Sequence, residues 1–514
     1  MKKSMKVKAF AAVFFLLMSL LGCRKIANVQ TSISKNSPTA VKTAGISAST
    51  ARSSLQTTKS AGTVEESEDS VISEYNQNEF PEDPGNQENN GPQENRIDLQ
   101  GRTIVIGQAG GVAGSPSYEY NQEPAEGTPL IDVIAYKNHR DAEEKYNCKI
   151  VVLLEGKERN DNFVTSVLSG IHRYDVYMQN FSYFLPFAIV KKLIYPITDY
   201  LDFQDGGTWA TPLRDLILYK GERYAIPRFY PTSGYLIAYN RSILSASGYN
   251  DSLYEYYKEN TWTWEKMLEI ALNTTKDMNG DGIVEQYGLF SPSSGVNQIS
   301  VPLVYTNGGD FITFDGNNYV YALDKSTSIK PLNFVSDLFN YYRVITTNNT
   351  FWYNGAATMC CTPGNQALLN PTFDRGIMPF PRSSEVGNAV TTFSGCQCYA
   401  FVTTTPEADR EGIVKAIGMR QAFWDPSRPD HISIKDWLYD SQIKAGNLKT
   451  PEDIEIYVNV MATAKISYLN AFSPFLDVVN SNVLTKIITR EVSVTQAISA
   501  AAPLAQAAID SSQN

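Results

Sequence analysis

The stretch from Gly101 to Leu154 constrains this chain's fold more than any other. Gly101-Arg-Thr-Ile-Val-Ile-Gly107 predicts an apolar strand behind a turn residue. The charged run from Asp132 to Tyr146 predicts a helix, and Lys149-Ile-Val-Val-Leu-Leu154 a second strand. Strand, helix, strand is a βαβ unit, and it sets the class as α/β. Gly107-Gln-Ala-Gly-Gly-Val-Ala-Gly114 lies between the first strand and the helix. It is not a G-x-G-x-x-G loop and no Lys-Ser/Thr follows, which argues against a nucleotide site. A loop at the carboxyl end of the first strand is, however, where open α/β sheets bind ligands.

Everything before this unit reads differently. Lys2, Lys3, Lys6 and Lys8 precede an apolar run from Ala9 to Leu21. That run falls short of the roughly 20 residues a membrane span needs. A basic start, a short apolar run and small residues at its end describe an export signal over 1–22. The run ends Leu20-Leu21-Gly22-Cys23, which resembles the bacterial lipobox and implies lipidation of Cys23. Residues 23–98 lack periodicity and are rich in Ser, Thr, Asn, Gln and Ala, the composition of an unfolded tether. Arg24, Lys25, Lys35, Lys42, Arg52 and Lys59 come before any acid, and Arg96 is the lone base from Glu65 to Asp98. The basic half suits anionic lipid beside the anchor. A coil of this length spans on the order of 50 Å.

Further along, short motifs follow one another in a fixed order. Tyr174-Asp-Val-Tyr-Met178 predicts a buried strand, and Leu193-Ile-Tyr-Pro-Ile-Thr-Asp199 follows it. Gly221-Glu-Arg-Tyr-Ala-Ile-Pro227 leads through Arg228 to Tyr235 into Leu236-Ile-Ala-Tyr-Asn-Arg241. Asn260-Thr-Trp-Thr-Trp-Glu-Lys-Met267, Asn354-Gly-Ala-Ala-Thr-Met359 and Asp374-Arg-Gly-Ile-Met-Pro-Phe-Pro381 complete the set. Thr263 is placed to cap a helix whose Trp264, Met267, Leu268, Ala271 and Leu272 form one apolar stripe. Thr495 to Ser511 is helical by the spacing of Ile498, Ala501, Ala505 and Ala508.

Over roughly Gly101 to Pro381 this ordered set resembles the family 1 extracellular solute-binding proteins. The resemblance implies a two-lobe, periplasmic-binding-protein-like α/β fold of class II type with an interlobe ligand cleft. Lobe 1 is expected over 99–229 and 396–435, and lobe 2, mostly helical, over 230–395 and 436–514. The chain would cross between lobes near Arg228 to Gly234 and near Phe393-Ser-Gly-Cys396. The implied function is a monomeric receptor on the extracytoplasmic face of the cell membrane, held by its lipid anchor. It would deliver a carbohydrate to the permease subunits of an ABC importer.

Composition agrees on what is excluded. With 44 Lys+Arg against 54 Asp+Glu, the chain lacks the basic surface that nucleic acid requires. Its histidines are His139, His172 and His431, and it contains neither His-Glu-x-x-His nor Gly-x-Ser-x-Gly. We therefore expect no enzyme. The alternatives are a surface glycan-active hydrolase with two carboxylates in a cleft and an adhesion lipoprotein. For the ligand, Phe181, Tyr183, Tyr230, Tyr235, Trp352 and Trp424 are candidate ring faces, each with core packing as its other role. Gln179, Asn180, Arg228 and Asn365 are candidate hydrogen-bond formers.

Two features carry other chemistry. Cys148, Cys360, Cys361, Cys396 and Cys398 remain if Cys23 is lipidated. The last four read as small core residues, with a zinc cluster or a disulfide among them as alternatives. Asp277-Met-Asn279-Gly-Asp281-Gly282-Ile283-Val-Glu285-Gln286 sets oxygen ligands at alternate positions with Gly282 at the sharp turn, as in an EF-hand-type calcium loop. Ile283 would give its carbonyl and Glu285 a carboxylate, while Gly288 stands where the bidentate Glu is usual. In relatives such as the alginate-oligosaccharide-binding proteins this loop holds calcium, with the position of Gln286 joining in. A structural Ca2+ outside the cleft is the expectation, and a solvated turn is the alternative.

Overall fold

Alternation of side chains decides the first sheet. In the strand Arg102–Ala109, Ile104 and Ile106 face one core while Val105 faces another. Val176 and Met178 repeat that split against Tyr177 in the strand Val176–Asn180. A sheet apolar on both faces must be covered on both. In the computed structural model this sheet has five strands, ordered Cys148–Glu155, Arg102–Ala109, Val176–Asn180, Gln397–Phe401 and Ala225–Pro227. The first three run parallel, and Gln397–Phe401 is antiparallel to both its neighbours. The helix Leu130–Lys145 makes the crossover of the βαβ unit. The structure describes residues 97–109, 123–128, 130–156, 158–203, 213–228, 231, 234–250, 252–292, 296–363, 372–387, 390–393, 395–423, 431–445 and 448–513.

A second five-stranded sheet is ordered Ile345–Thr346, Tyr287–Phe290, Ala357–Pro363, Tyr235–Asn240 and Arg375–Pro379. The chain thus leaves the first sheet after Pro227, enters the second at Tyr235, and returns to the first at Gln397. The helix Glu407–Arg420 supplies Ile413, Val414 and Ile417 to the core on one face of the first sheet. Later helices run back to the second sheet, where the Asp453 carboxylate accepts the Ile377 N–H (3.0 Å) and binds Arg241 (2.8 Å). The C-terminal helix Val494–Gln513 buries Ile498, Ala501 and Ala505, as its spacing predicts, and Ile509. Its end also meets the region before the first crossing: the Tyr219 hydroxyl donates to the Gln513 carbonyl (2.6 Å).

Two local expectations need correction. In the helix Trp264–Thr274 the buried stripe is Trp264, Met267, Ile270, Ala271 and Thr274, whereas Leu272 is exposed. The helix lies on the strand Tyr287–Phe290, and that contact rotates the buried stripe off Leu272. Thr263 is the N-cap residue, but its side chain makes no capping bond. No disulfide forms among the five described cysteines. Cys360 and Cys361 sit in the second sheet and Cys396 and Cys398 at the first, buried in apolar surroundings. Burial pushes the Cys396 thiol up to about 12, far from the thiolate that zinc requires. Among the described residues no helix is long and apolar enough to cross a membrane.

Candidate functional site

The end of the strand Val176–Asn180 carries a cluster of amides. Asn160 Oδ1 accepts from the Tyr177 hydroxyl and from Gln179 Nε2, both at 2.9 Å. Gln179 Oε1 in turn accepts the Asn180 N–H (2.9 Å). Asn180 Oδ1 caps the next short helix by accepting from Ser182 N–H (3.1 Å) and Ser182 Oγ (3.0 Å). These bonds fix the rotamers of both amide side chains before any ligand arrives.

Sheet pairing brings a second group to the same place. Gln397 lies opposite Asn180 in the antiparallel register. Its carbonyl accepts the Arg228 N–H (2.8 Å), and its Oε1 accepts from Arg228 Nη1 (2.9 Å). Arg228 is only 6% exposed, at the point where the chain leaves the first sheet. Behind it, the Gln421 amide bonds the Arg228 carbonyl and accepts from Arg420 Nη1 (3.0 Å). Arg420 also donates to Tyr399 Oη (2.9 Å) and to His139 Nδ1 (3.1 Å). Burial, reinforced by Arg420 and Arg140, holds the His139 imidazole down at about 3. It is therefore neutral at physiological pH and serves as an acceptor for Arg420.

The structure thus brings Gln179, Asn180 and Arg228 together around Gln397. The expected ring faces fare differently. Phe181 is fully buried, edge-on to Tyr468 with centroids 6.0 Å apart. Tyr235 is buried against Phe380, and Trp352, 1% exposed, packs edge-on against Phe373 at 4.9 Å. Each of these three rings packs in the core, the other role that the sequence left open for it. Tyr183 is half-buried among Phe163, Tyr177, Phe184 and Phe187, and burial pushes its phenol up to about 12. Tyr230, Asn365, Trp424 and Cys23 lie outside the described residues. Asn160, Gln397, Arg420 and Gln421 escaped sequence reasoning. Gln397 was within reach of it, as the polar residue between two buried cysteines just past the second crossing.

In the second lobe, the residues from Asp277 to Glu285 fold into a tight loop. Asp277 accepts the N–H groups of Gly280 (2.6 Å) and Gly282 (2.7 Å). The Gly282 N–H, with that of Gly280, holds the Asp277 carboxyl below its usual range. Gly282 adopts φ +88°, a left-handed turn that a side chain would strain. Carboxylate oxygens of Asp277, Asp281 and Glu285 gather within 4.8 Å of one another. Asn279 Nδ2 donates to Asp281 (3.2 Å) and Glu285 (3.0 Å). The exposed Ile283 donates its N–H to Asp281 Oδ1 (2.8 Å). Gln286 instead closes the neck: Nε2 donates to the Thr274 carbonyl (2.7 Å), and its own carbonyl accepts the Lys276 N–H (2.8 Å).

No protein-family model and no curated protein sequence matches the chain. Solved structures do. A cyclo/maltodextrin-binding protein complexed with maltotetraose superposes with a TM-score of 0.55 at 13% identity, over 80% of this chain and 98% of that one. A cyclic alpha-maltosyl-1,6-maltose binding protein from Arthrobacter globiformis gives 0.54 at 14% identity, over 80% and 99%. UspC of M. tuberculosis gives 0.52 at 14%, over 79% and 100%. These likenesses show the fold: the two-lobe, periplasmic-binding-protein-like α/β architecture that the motif order implies.

Proposed function

We propose that this chain is a lipid-anchored, monomeric receptor on the extracytoplasmic face of the cell membrane, which captures a carbohydrate between its lobes for an ABC importer. The observation that carries the reading is the convergence of Gln179, Asn180, Arg228 and Gln397 where the chain passes between its two sheets. A sugar hydroxyl both donates and accepts, and amides and a guanidinium answer both needs. None of these groups exchanges protons near neutral pH, so the cluster is built to hold a solute rather than to transform it. Structures of the same fold are described as binding maltodextrins and a cyclic maltosyl-maltose, which supports a carbohydrate here. Delivery to permease subunits follows from the receptor role, and anchoring from Leu20-Leu21-Gly22-Cys23.

The test is a thermal-shift screen of the chain against mono- and oligosaccharides, followed by solution scattering with any hit. A ligand at a hundredfold excess over its dissociation constant should stabilise by about 2.7 kcal/mol. The radius of gyration should fall as the lobes close. In cells, Cys23→Ala should release the protein from the membrane fraction. A panel without a hit, or a bound sugar that leaves the radius unchanged, counts against the receptor; a membrane-bound Cys23→Ala protein counts against the anchor.

The loop from Asp277 to Glu285 is proposed to hold a structural Ca2+. Asp277, Asn279, Asp281 and Glu285 would supply side-chain oxygens, once the Asn279 amide turns, and Ile283 its carbonyl. The gathering of three carboxylates supports it, since a cation would relieve their repulsion. Extracellular calcium modules bind at roughly 10⁻⁴–10⁻³ M. Calcium at millimolar concentration should then add on the order of 1 kcal/mol, or about 1 °C in melting temperature. A chelator should remove that increment, and Asp281→Ala should abolish the response. A melting curve that the chelator leaves in place would return the loop to a solvated turn.

A further inference from the structure

Apart from the cluster at Arg228, the second lobe holds a pocket of about 360 Å³, a size typical of small-molecule sites. Its wall comes from the end of the helix Tyr254–Lys258 and the turn after it, from Pro379, Arg382 and Val390, and from the end of the helix Pro451–Ala462 with Thr463. Trp262 and Tyr257 supply ring surface. The Trp262 indole N–H is committed to the Pro379 carbonyl (2.8 Å), which fixes the ring. The Asn459 amide faces the Tyr257 hydroxyl and accepts from Lys435 Nζ (3.0 Å).

Arg382 gives the pocket its character. Its guanidinium donates to Asn260 Oδ1 (3.1 Å), the Asn260 carbonyl (2.7 Å) and the Ser383 carbonyl (3.2 Å). All three acceptors are neutral. A guanidinium has five N–H groups, and among the described residues these bonds use three of them. Among the described residues no acidic side chain lines the pocket. Glu385 is taken by Lys330, and Glu455 accepts from the Tyr254 hydroxyl. A cation in a wall shared with two rings, amides and Thr463 selects a solute with one anionic group and one apolar face.

We propose that this pocket is a second small-molecule site, for a ring that carries a carboxylate. The carboxylate takes the remaining N–H groups of Arg382, and the ring lies against Trp262 and Tyr257. A sugar acid and an aromatic acid share this chemistry. The proposal stands apart from the interlobe reading, because its residues all belong to the second lobe and none belongs to the Arg228 cluster.

Titration calorimetry of the full chain with galacturonate, benzoate and glucose tests it. At least one acid should bind about tenfold or more tightly than glucose. Tight galacturonate with weak benzoate assigns a sugar acid, and the reverse an aromatic acid. Arg382→Gln should weaken the preferred acid about tenfold, and Arg228→Ala should leave it unchanged. Arg382 also ties its own loop together, so Tyr257→Ala, at a half-buried position, serves as the second variant with a similar expected loss. Acids that bind no better than glucose, affinity that survives both pocket variants, or affinity lost in Arg228→Ala would each overturn the proposal.

Discussion

Arg228→Ala should weaken binding of a cleft sugar by about thirtyfold or more while the chain stays folded. A hydrogen bond from a charged donor contributes roughly 1.5–3 kcal/mol, and about 1.4 kcal/mol is a factor of ten. Truncation removes that donor and also strands Gln397 Oε1, whose partner is Arg228 Nη1. The backbone bond from Arg228 N–H to the Gln397 carbonyl survives, so the strand pairing should hold. Arg228→Lys should fall between the two, since an ammonium keeps the charge but loses the planar fork. Both variants should melt within about 2 °C of the parent without ligand. Loss of the fold in Arg228→Ala would show a packing role, and unaltered affinity would place the sugar elsewhere.

What the sequence disclosed and what it hid divide along physical lines. The βαβ unit was legible because apolar residues run through both strands, where Ile104, Ile106 and Ile150 are wholly buried. The motif order then carried the two-lobe architecture, which the superposed structures share. Gln179, Asn180 and Arg228 stood out as polar residues at a strand end and at a crossing, and sheet pairing sets them beside Gln397. The aromatics read two ways. Phe181 and Trp352 have the same side-chain chemistry whether they stack on a sugar or fill a core, and only neighbours such as Tyr468 and Phe373 decide. Gln397, Asn160 and Gln421 reach the cluster from distant segments, so no local pattern marks them. Leu272 shows the limit in a single helix: periodicity gave an apolar stripe, and the strand beneath chose Ile270 for burial in its place.

The contact that makes this choice supports the last prediction, that Gly288→Ala should destabilise the fold by about 3 kcal/mol. A Cβ at Gly288 would lie 2.3 Å from the Ala271 carbonyl oxygen and 2.4 Å from the Ala271 Cα. Both are backbone atoms of the helix Trp264–Thr274, and no rotamer moves them aside. Relief requires the helix to lift from the strand Tyr287–Phe290, which loosens Met267, Ile270 and Leu289 in the core. It also strains the bond from Gly288 N–H to Thr275 Oγ1 (2.9 Å). Overpacking usually costs about 1–3 kcal/mol, and a backbone clash belongs at the upper end. In a body of this size the melting temperature should drop by roughly 3–4 °C. Gly387→Ala is the control: nothing lies within 4 Å of a Cβ there, and the change should stay within about 0.5 kcal/mol. The loop from Asp277 to Glu285 hangs between these same two elements, so a helix lifted off its strand should also blunt the response to chelator. Equal melting temperatures for the two alanine variants would show that the helix does not lie this close to the strand.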